Sequence, residues 1–129
     1  MTIESLELHD AIMESMTMTS RGVATLYFRS VHVMVGAENW DCTAVLECTG
    51  VKGFSLDSAL PDDGWIYDYA LRTAAGVEDD ASILLSSSSV NRVELTFHNG
   101  ACLALDCDAV AAKIDEREVG RRRWDNSER

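Results

Sequence analysis

The stretch NRVELTFHNGACLALDC, residues 91–107, constrains the fold more than any other part of the chain. Apolar and polar residues alternate with a period of two, which is the side-chain repeat of a strand with one buried face. Two such runs meet at Asn99-Gly100, a strong short-range signal for a hairpin. Two registers compete. A two-residue turn pairs Phe97 with Cys102, Leu95 with Ala104 and Val93 with Asp106, which leaves a carboxylate beside the apolar face. A three-residue loop, His98–Gly100, pairs Phe97 with Ala101, Leu95 with Leu103 and Val93 with Leu105, and sets Arg92 opposite Asp106. A slip of one residue would exchange the two faces, so the pattern itself selects the three-residue loop. Gly100 then takes the left-handed position that follows a type I turn and closes a bulge. In this register His98 is the first loop residue, at a tip facing water. Cys107 joins the apolar face and Cys102 the polar one, so the two thiols cannot share a metal.

The same period recurs along the chain. In residues 11–18, Ile12, Met16 and Met18 share a side with Ser15 and Thr17 opposite, although Glu14 interrupts the apolar face. Residues 19–22 (TSRG) are a turn cluster, so residues 12–28 are expected to form a long hairpin. In 23–35, Leu26 and Phe28 keep one phase and Val31, Val33 and Val35 the other; the change near Arg29-Ser30 predicts a bulge or a bend between sheets. Residues 36–39 read as a loop. In 41–49, Cys42, Ala44, Leu46 and Cys48 form one face, and a short strand follows between glycines. Residues 59–64 (ALPDDG) have turn chemistry throughout.

Residues 65–72 (WIYDYALR) admit two readings. Trp65, Tyr67, Tyr69 and Leu71 alternate with Asp68 and Arg72, as in a strand, whereas Ile66, Tyr69, Ala70 and Thr73 would serve a helix; the aromatic content favours the strand. Residues 73–81 read as a loop, 82–89 as a strand, and 108–119 as a short helix capped by Asp108 or as a frayed end. Seven or eight short strands at roughly ten-residue spacing predict a mainly β protein: an antiparallel β-sandwich or partly open barrel with at most one or two short helices. The expected organisation is a single domain over residues 1–115 and a charged, flexible tail over 116–129.

Charge narrows the partners. Residues 1–112 carry 17 acidic and 5 basic side chains, a net −12, while residues 113–129 carry 5 acidic and 6 basic, a net +1. An acidic body repels nucleic acid and anionic membrane. Arg121-Arg122-Arg123 is the only basic cluster, and it reads as a solvated terminus; the competing reading is a nucleic-acid arm. The first residues, MTIESLELHD, have neither the basic start nor the apolar core of a secretory signal, and no run approaches a membrane span. The expectation is a cytoplasmic protein whose Cys42, Cys48, Cys102 and Cys107 are reduced thiols, at spacings that match neither a zinc site nor a redox pair.

Three segments, LELHDAIMESM, AVLECTGVKGFSL and VELTFHNGACLALDCDAV, occur in this order. Together they resemble a loose group of small bacterial β-rich proteins of unknown function. The shared outline is an early Leu-His-Asp-Ala, a mid-chain Leu-x-x-x-Gly-Val and a closing hairpin with an Asn-Gly-type turn. About a third of the chain carries the resemblance, and LPDDGW stands where that group has a Pro-Trp-Gly-like turn. The resemblance implies a compact β-rich domain and no particular activity.

Few residues point to chemistry. His9-Asp10 could form a pair that orients an imidazole, but neighbours on a strand point to opposite faces. His32, between Val31 and Val33, belongs on the less buried face of its strand. The acids Asp62, Asp63 and Asp68, and Glu78, Asp79 and Asp80, lack the spacing of a calcium loop and read as solvated loop acids. Trp65, Tyr67 and Tyr69 are core if they face inward, the preferred reading, and a binding platform if they face outward. There is no nucleophile elbow, phosphate-binding glycine loop or zinc-protease motif, and Ser86–Ser89 have no histidine partner in the sequence. The sequence therefore predicts a non-enzymatic domain acting by protein–protein contact or self-association, in its most specific form an inhibitor or immunity-type partner of a basic protein. No catalytic residue, metal or cofactor is assigned, and His9, Asp10, Trp65, Tyr67 and Tyr69 are the candidate binding residues. The alternative is a small-ligand-binding or hydrolytic module with a cleft near His9 and Trp65.

Overall fold

The computed structural model describes residues 3–86 and 89–115. Two antiparallel sheets face each other. One has four strands in the order β1-β2-β3-β9: β1 (Ser5–Met18), β2 (Ala24–Val35), β3 (Glu38–Thr49) and β9 (Ala109–Ile114). The other has five in the order β4-β8-β7-β5-β6: β4 (Gly53–Leu56), β5 (Ile66–Thr73), β6 (Gly76–Glu78), β7 (Arg92–Phe97) and β8 (Cys102–Asp106). The protein is a mainly β sandwich, with nine strands rather than seven or eight among the described residues. A single 3-10 turn, Ala81–Leu85, interrupts them.

The β7–β8 hairpin adopts the register that the apolar pattern selects. Leu95 lies opposite Leu103, Val93 opposite Leu105 and Arg92 opposite Asp106, while Phe97 N–H donates to Ala101 O at 2.8 Å. Gly100 has φ 90°, a conformation that costs an L side chain dearly and glycine little. The β1–β2 hairpin pairs Met16 with Leu26 and Thr17 with Thr25 around a turn in which Thr19 Oγ1 accepts from Val23 N–H at 3.3 Å. Gly36-Ala37 turns the chain tightly between Val35 and Glu38, where the sequence suggested a longer loop.

The core follows the phases of the strands and their changes. Cys42, Ala44, Leu46 and Cys48 all point inward from β3. In β2 the inward set passes from Leu26 and Phe28 to Val31 and Val33, with a register shift between Phe28 and Val31, as the phase change predicts. β1 makes a matching change that the sequence reading missed. The strand starts at Ser5, buries Leu6 and Leu8, then Ala11 and Met13, and shifts register between Glu7 and Ile12. The face assigned to Ile12, Met16 and Met18 is thus not the buried one. Asp10 sits within this bulge at φ 66° and is the sole non-glycine residue with positive φ among the described residues.

Three further segments correct the sequence reading. Residues 73–81 are not all loop: Thr73 pairs with Gly76, and β6 completes a hairpin with β5. Ser82–Leu85 belong to the 3-10 turn instead of a strand, because Asp80 accepts from Ser82 N–H at 3.0 Å and Ala81 and Leu84 plug the core. Residues 109–114 are a strand on β3, not a helix. The tail of 116–129, with Arg121-Arg122-Arg123, lies outside the described residues, as do Ser87 and Ser88. Among the described residues no helix is long and apolar enough to cross a membrane.

Candidate functional site

Residues 65–72 are strand, and a bulge explains why they can be read two ways. Ile66, Tyr69 and Leu71 are buried, whereas Trp65 and Tyr67 stay 40% and 56% exposed, with a register shift between Ile66 and Asp68. One extra residue in the strand gives an i, i+3 spacing of inward side chains that imitates a helix. The inward reading therefore holds for Tyr69, which is 8% exposed, and fails for Trp65 and Tyr67. Tyr69 is a scaffold residue. Its hydroxyl donates to Asp79 O at 2.7 Å and accepts from Ala81 N–H at 3.2 Å, and burial, with Glu7 nearby, pushes it well above the usual tyrosine range.

Trp65 stands at a corner where three segments meet. An isolated bridge joins it to Ile12 of β1, and Met13 N–H donates to Gly64 O at 2.9 Å. Gly64 has φ 63°, and a Cβ there would run into the Met13 carbonyl, so the backbones can approach this closely only at a glycine. From the other side, His98 N–H at the β7–β8 tip donates to Trp65 O at 3.0 Å.

The side chains converge in the same place. Trp65 Nε1 donates to Asp10 Oδ1 at 2.9 Å. The His98 ring stacks on Trp65 with centroids 3.9 Å apart at 28°, and meets Tyr67 edge-on at 5.5 Å. His98 Nε2 is 3.8 Å from Asp10 Oδ1, and His9 Nδ1 is 3.7 Å from Asp10 Oδ2. His9 in turn lies 6.0 Å from Tyr67, ring to ring. Four of the five candidate residues, His9, Asp10, Trp65 and Tyr67, thus form one patch, and Tyr69 does not join it. The rule that adjacent strand residues diverge fails at His9-Asp10 because the bulge turns Asp10 back toward its neighbour. His98 is the member the sequence reading placed in water. It does stand exposed at the tip, and its ring also packs against Trp65, a residue 33 positions away for which no local signal exists.

His9 and Asp10 also line a cavity of about 430 Å³ between β1, β2, the start of β3 and the Asp80–Ser82 segment. His32 forms part of its wall. His32 Nδ1 lies 2.6 Å from Asp41 Oδ1, with side chains only 12% and 11% exposed, and the cross-strand row Glu7–His32–Asp41 brings the pair together. The aspartate fixes one edge of this imidazole.

Three of the acids in the two acidic runs, Asp63, Asp68 and Asp80, bond backbone N–H groups. Asp63 accepts from Trp65 N–H at 3.0 Å and Asp68 from Tyr69 N–H at 2.9 Å. Among the described residues no group of three or more His, Cys, Asp or Glu side chains is arranged to hold a metal ion. Compared with protein-family models, curated proteins and solved structures, the chain matches none.

Proposed function

We propose that this protein is a non-enzymatic binding domain that docks a basic protein partner on the patch formed by His9, Trp65, Tyr67 and His98 around Asp10. The exposure of Trp65 and Tyr67 carries the reading. Burying a large aromatic side chain is worth about 1.5–3 kcal/mol, and of the exposed aromatics Tyr27, Phe54, Trp65 and Tyr67, the last two both pack against one ring, His98. Both are held by neighbours, Trp65 by its hydrogen bond to Asp10 and both by ring contacts with His98. Rigid aromatics of this kind anchor interfaces because little entropy remains to be lost on binding. Asp10 lies within the patch and Asp63 accepts from the Trp65 backbone beside it, and the −12 of residues 1–112 favours encounter with a cationic partner. The same charge makes two copies repel, which favours a different, basic partner over self-association. We place the protein in the cytoplasm, where buried thiols such as Cys42, Cys48 and Cys107 remain reduced. The resemblance to small bacterial β-rich proteins fits a compact scaffold of this type and implies no activity.

The test is binding of the full chain to a basic polypeptide, poly-arginine, across a salt series, beside the Trp65→Ala/Tyr67→Ala double variant. The expected result is an affinity that falls steeply with salt and drops at least tenfold in the variant. A variant that binds as well as the parent, or binding indifferent to salt, would end the reading.

A second reading has its own observation. The cavity beside His9, with His32 in its wall and held by Asp41, supports a small-ligand or hydrolytic module. A hydrolytic version needs a nucleophile. Ser82 reaches the cavity, but its hydroxyl oxygen accepts from Leu6 N–H at 3.1 Å, which ties it to β1. Binding without chemistry is the better supported form.

A further inference from the structure

We infer that the cavity beside the aromatic patch receives an arginine side chain of the partner; this rests on the docking proposed above and names what enters the molecule. Three carboxylate residues, Glu7, Asp10 and Asp80, line the cavity, together with the imidazoles of His9 and His32 and the polar Ser5, Asn39 and Ser82, and no lysine or arginine does so among the described residues. The charge of the space therefore selects a cation. Its size, about 430 Å³, lies within the range of organic ligand pockets and far exceeds a bare ion.

The walls decide between cations. Leu6, Val33 and Met34 supply apolar surface beside the acids. A side chain with a methylene stem and a flat, weakly hydrated head suits such a mixed lining better than a compact ammonium, and guanidinium offers five donors to carboxylates presented from different segments. Glu7 and Asp10 come from β1, and Asp80 from the segment after β6. Two of these carboxylates are already positioned by the backbone: Glu7 accepts from His9 N–H at 2.8 Å and Asp80 from Ser82 N–H at 3.0 Å. His9 and Asp10 belong to both cavity and patch, so an arginine seated here leaves its own backbone beside Trp65 and Tyr67. One arginine and its flanking residues would span both.

Three short capped peptides, acetyl-Gly-Xaa-Gly-amide with arginine, lysine or citrulline at the centre, test this by amide chemical-shift titration of the full chain. The arginine peptide is expected to shift the amides of Leu6, Glu7, Val33 and Asn39 saturably. Lysine should bind more weakly, and citrulline, which is nearly isosteric and uncharged, should not bind. The Glu7→Gln/Asp80→Asn double variant keeps both backbone hydrogen-bond acceptors and should weaken the arginine peptide at least fivefold with an unchanged circular dichroism spectrum. Equal binding of citrulline, shifts confined to other surfaces, or an unaffected double variant would overturn the inference. If the double variant binds normally while Trp65→Ala/Tyr67→Ala still loses poly-arginine, the docking surface survives and only the cavity assignment falls.

Discussion

Asp10 shows how a single backbone conformation can build a surface. At φ 66° it occupies the left-handed region, which costs most L residues about 1–2 kcal/mol and aspartate or asparagine less. That conformation turns the carboxylate toward His9, Trp65 and His98. Asp10→Asn preserves both the conformation and an oxygen for Trp65, so urea unfolding should show a loss under about 0.5 kcal/mol. Asp10→Ala keeps neither and should lose about 1–2 kcal/mol. Equal stability of the two variants would remove Asp10 from this role. The cysteines give a second check at this scale. Cys42, Cys48 and Cys107 are buried, and the Cys48 thiol is pushed up by its hydrogen bond with Cys107 and by burial, whereas Cys102 is half-buried on the polar face of β8. Native protein treated with a thiol-reactive disulfide should label Cys102 first and the other three only on unfolding, as read by peptide mass mapping.

Strands here are bent by paired irregularities. The bulges of β1 and β2 lie level with each other, Ile12 facing Ser30, so both strands change inward phase together and stay paired. Alternation is legible in sequence only where it is regular. It reveals β7, β8 and most of β3, and it reveals the break in β2 because runs with a clear apolar phase, 24–28 and 31–35, flank it. It hides the break in β1, where Leu8 and Ala11 are separated by polar residues with no phase of their own. At the junction of β1 with the segment before β5, Gly64→Ala would force a Cβ against the Met13 carbonyl in a conformation that already disfavours alanine. A loss of more than about 2 kcal/mol is expected in thermal or urea unfolding. Tyr69→Phe should cost about 1–2 kcal/mol by leaving Asp79 O and Ala81 N–H without their partner, while poly-arginine binding stays unchanged. On the outer face of the second sheet, hydrogen bonds from Arg72 and then Arg92 hold the Glu94 carboxyl below its ordinary 4.5. A depressed carboxyl stabilises the fold fully above the ordinary value and stops doing so as pH falls through the lower folded value. Glu94→Gln should therefore flatten the acid side of a stability–pH curve below about 4.5 and leave the alkaline side unmoved.

Across the whole molecule, charge and patch act together. The acidic body sets encounter rate and salt dependence, and the aromatic corner sets residence. Raising ionic strength should thus slow association with poly-arginine more than it speeds dissociation, whereas Trp65→Ala/Tyr67→Ala should do the reverse in stopped-flow traces. If both perturbations changed the same rate, charge and patch would not have the separate roles assigned to them. The acidity was countable from composition, and so was the absence of familiar enzyme motifs. The location of the patch was not, because it joins residues 9–10, 65–67 and 98 through three connections, none of them local in the chain.

The sequence by itself determined a sheet-built molecule, the register of its closing hairpin and which side of each regular strand is buried, because period-two alternation and turn chemistry act over a few neighbouring residues. Only the tertiary structure decided that His98 stacks on Trp65, that the Asp10 carboxylate meets the indole and both His9 and His98, and that residues 109–114 close a sheet as a strand. Those outcomes depend on which distant backbones supply the missing partners. A sheet edge or an unpaired ring takes its place from whatever the rest of the fold brings beside it.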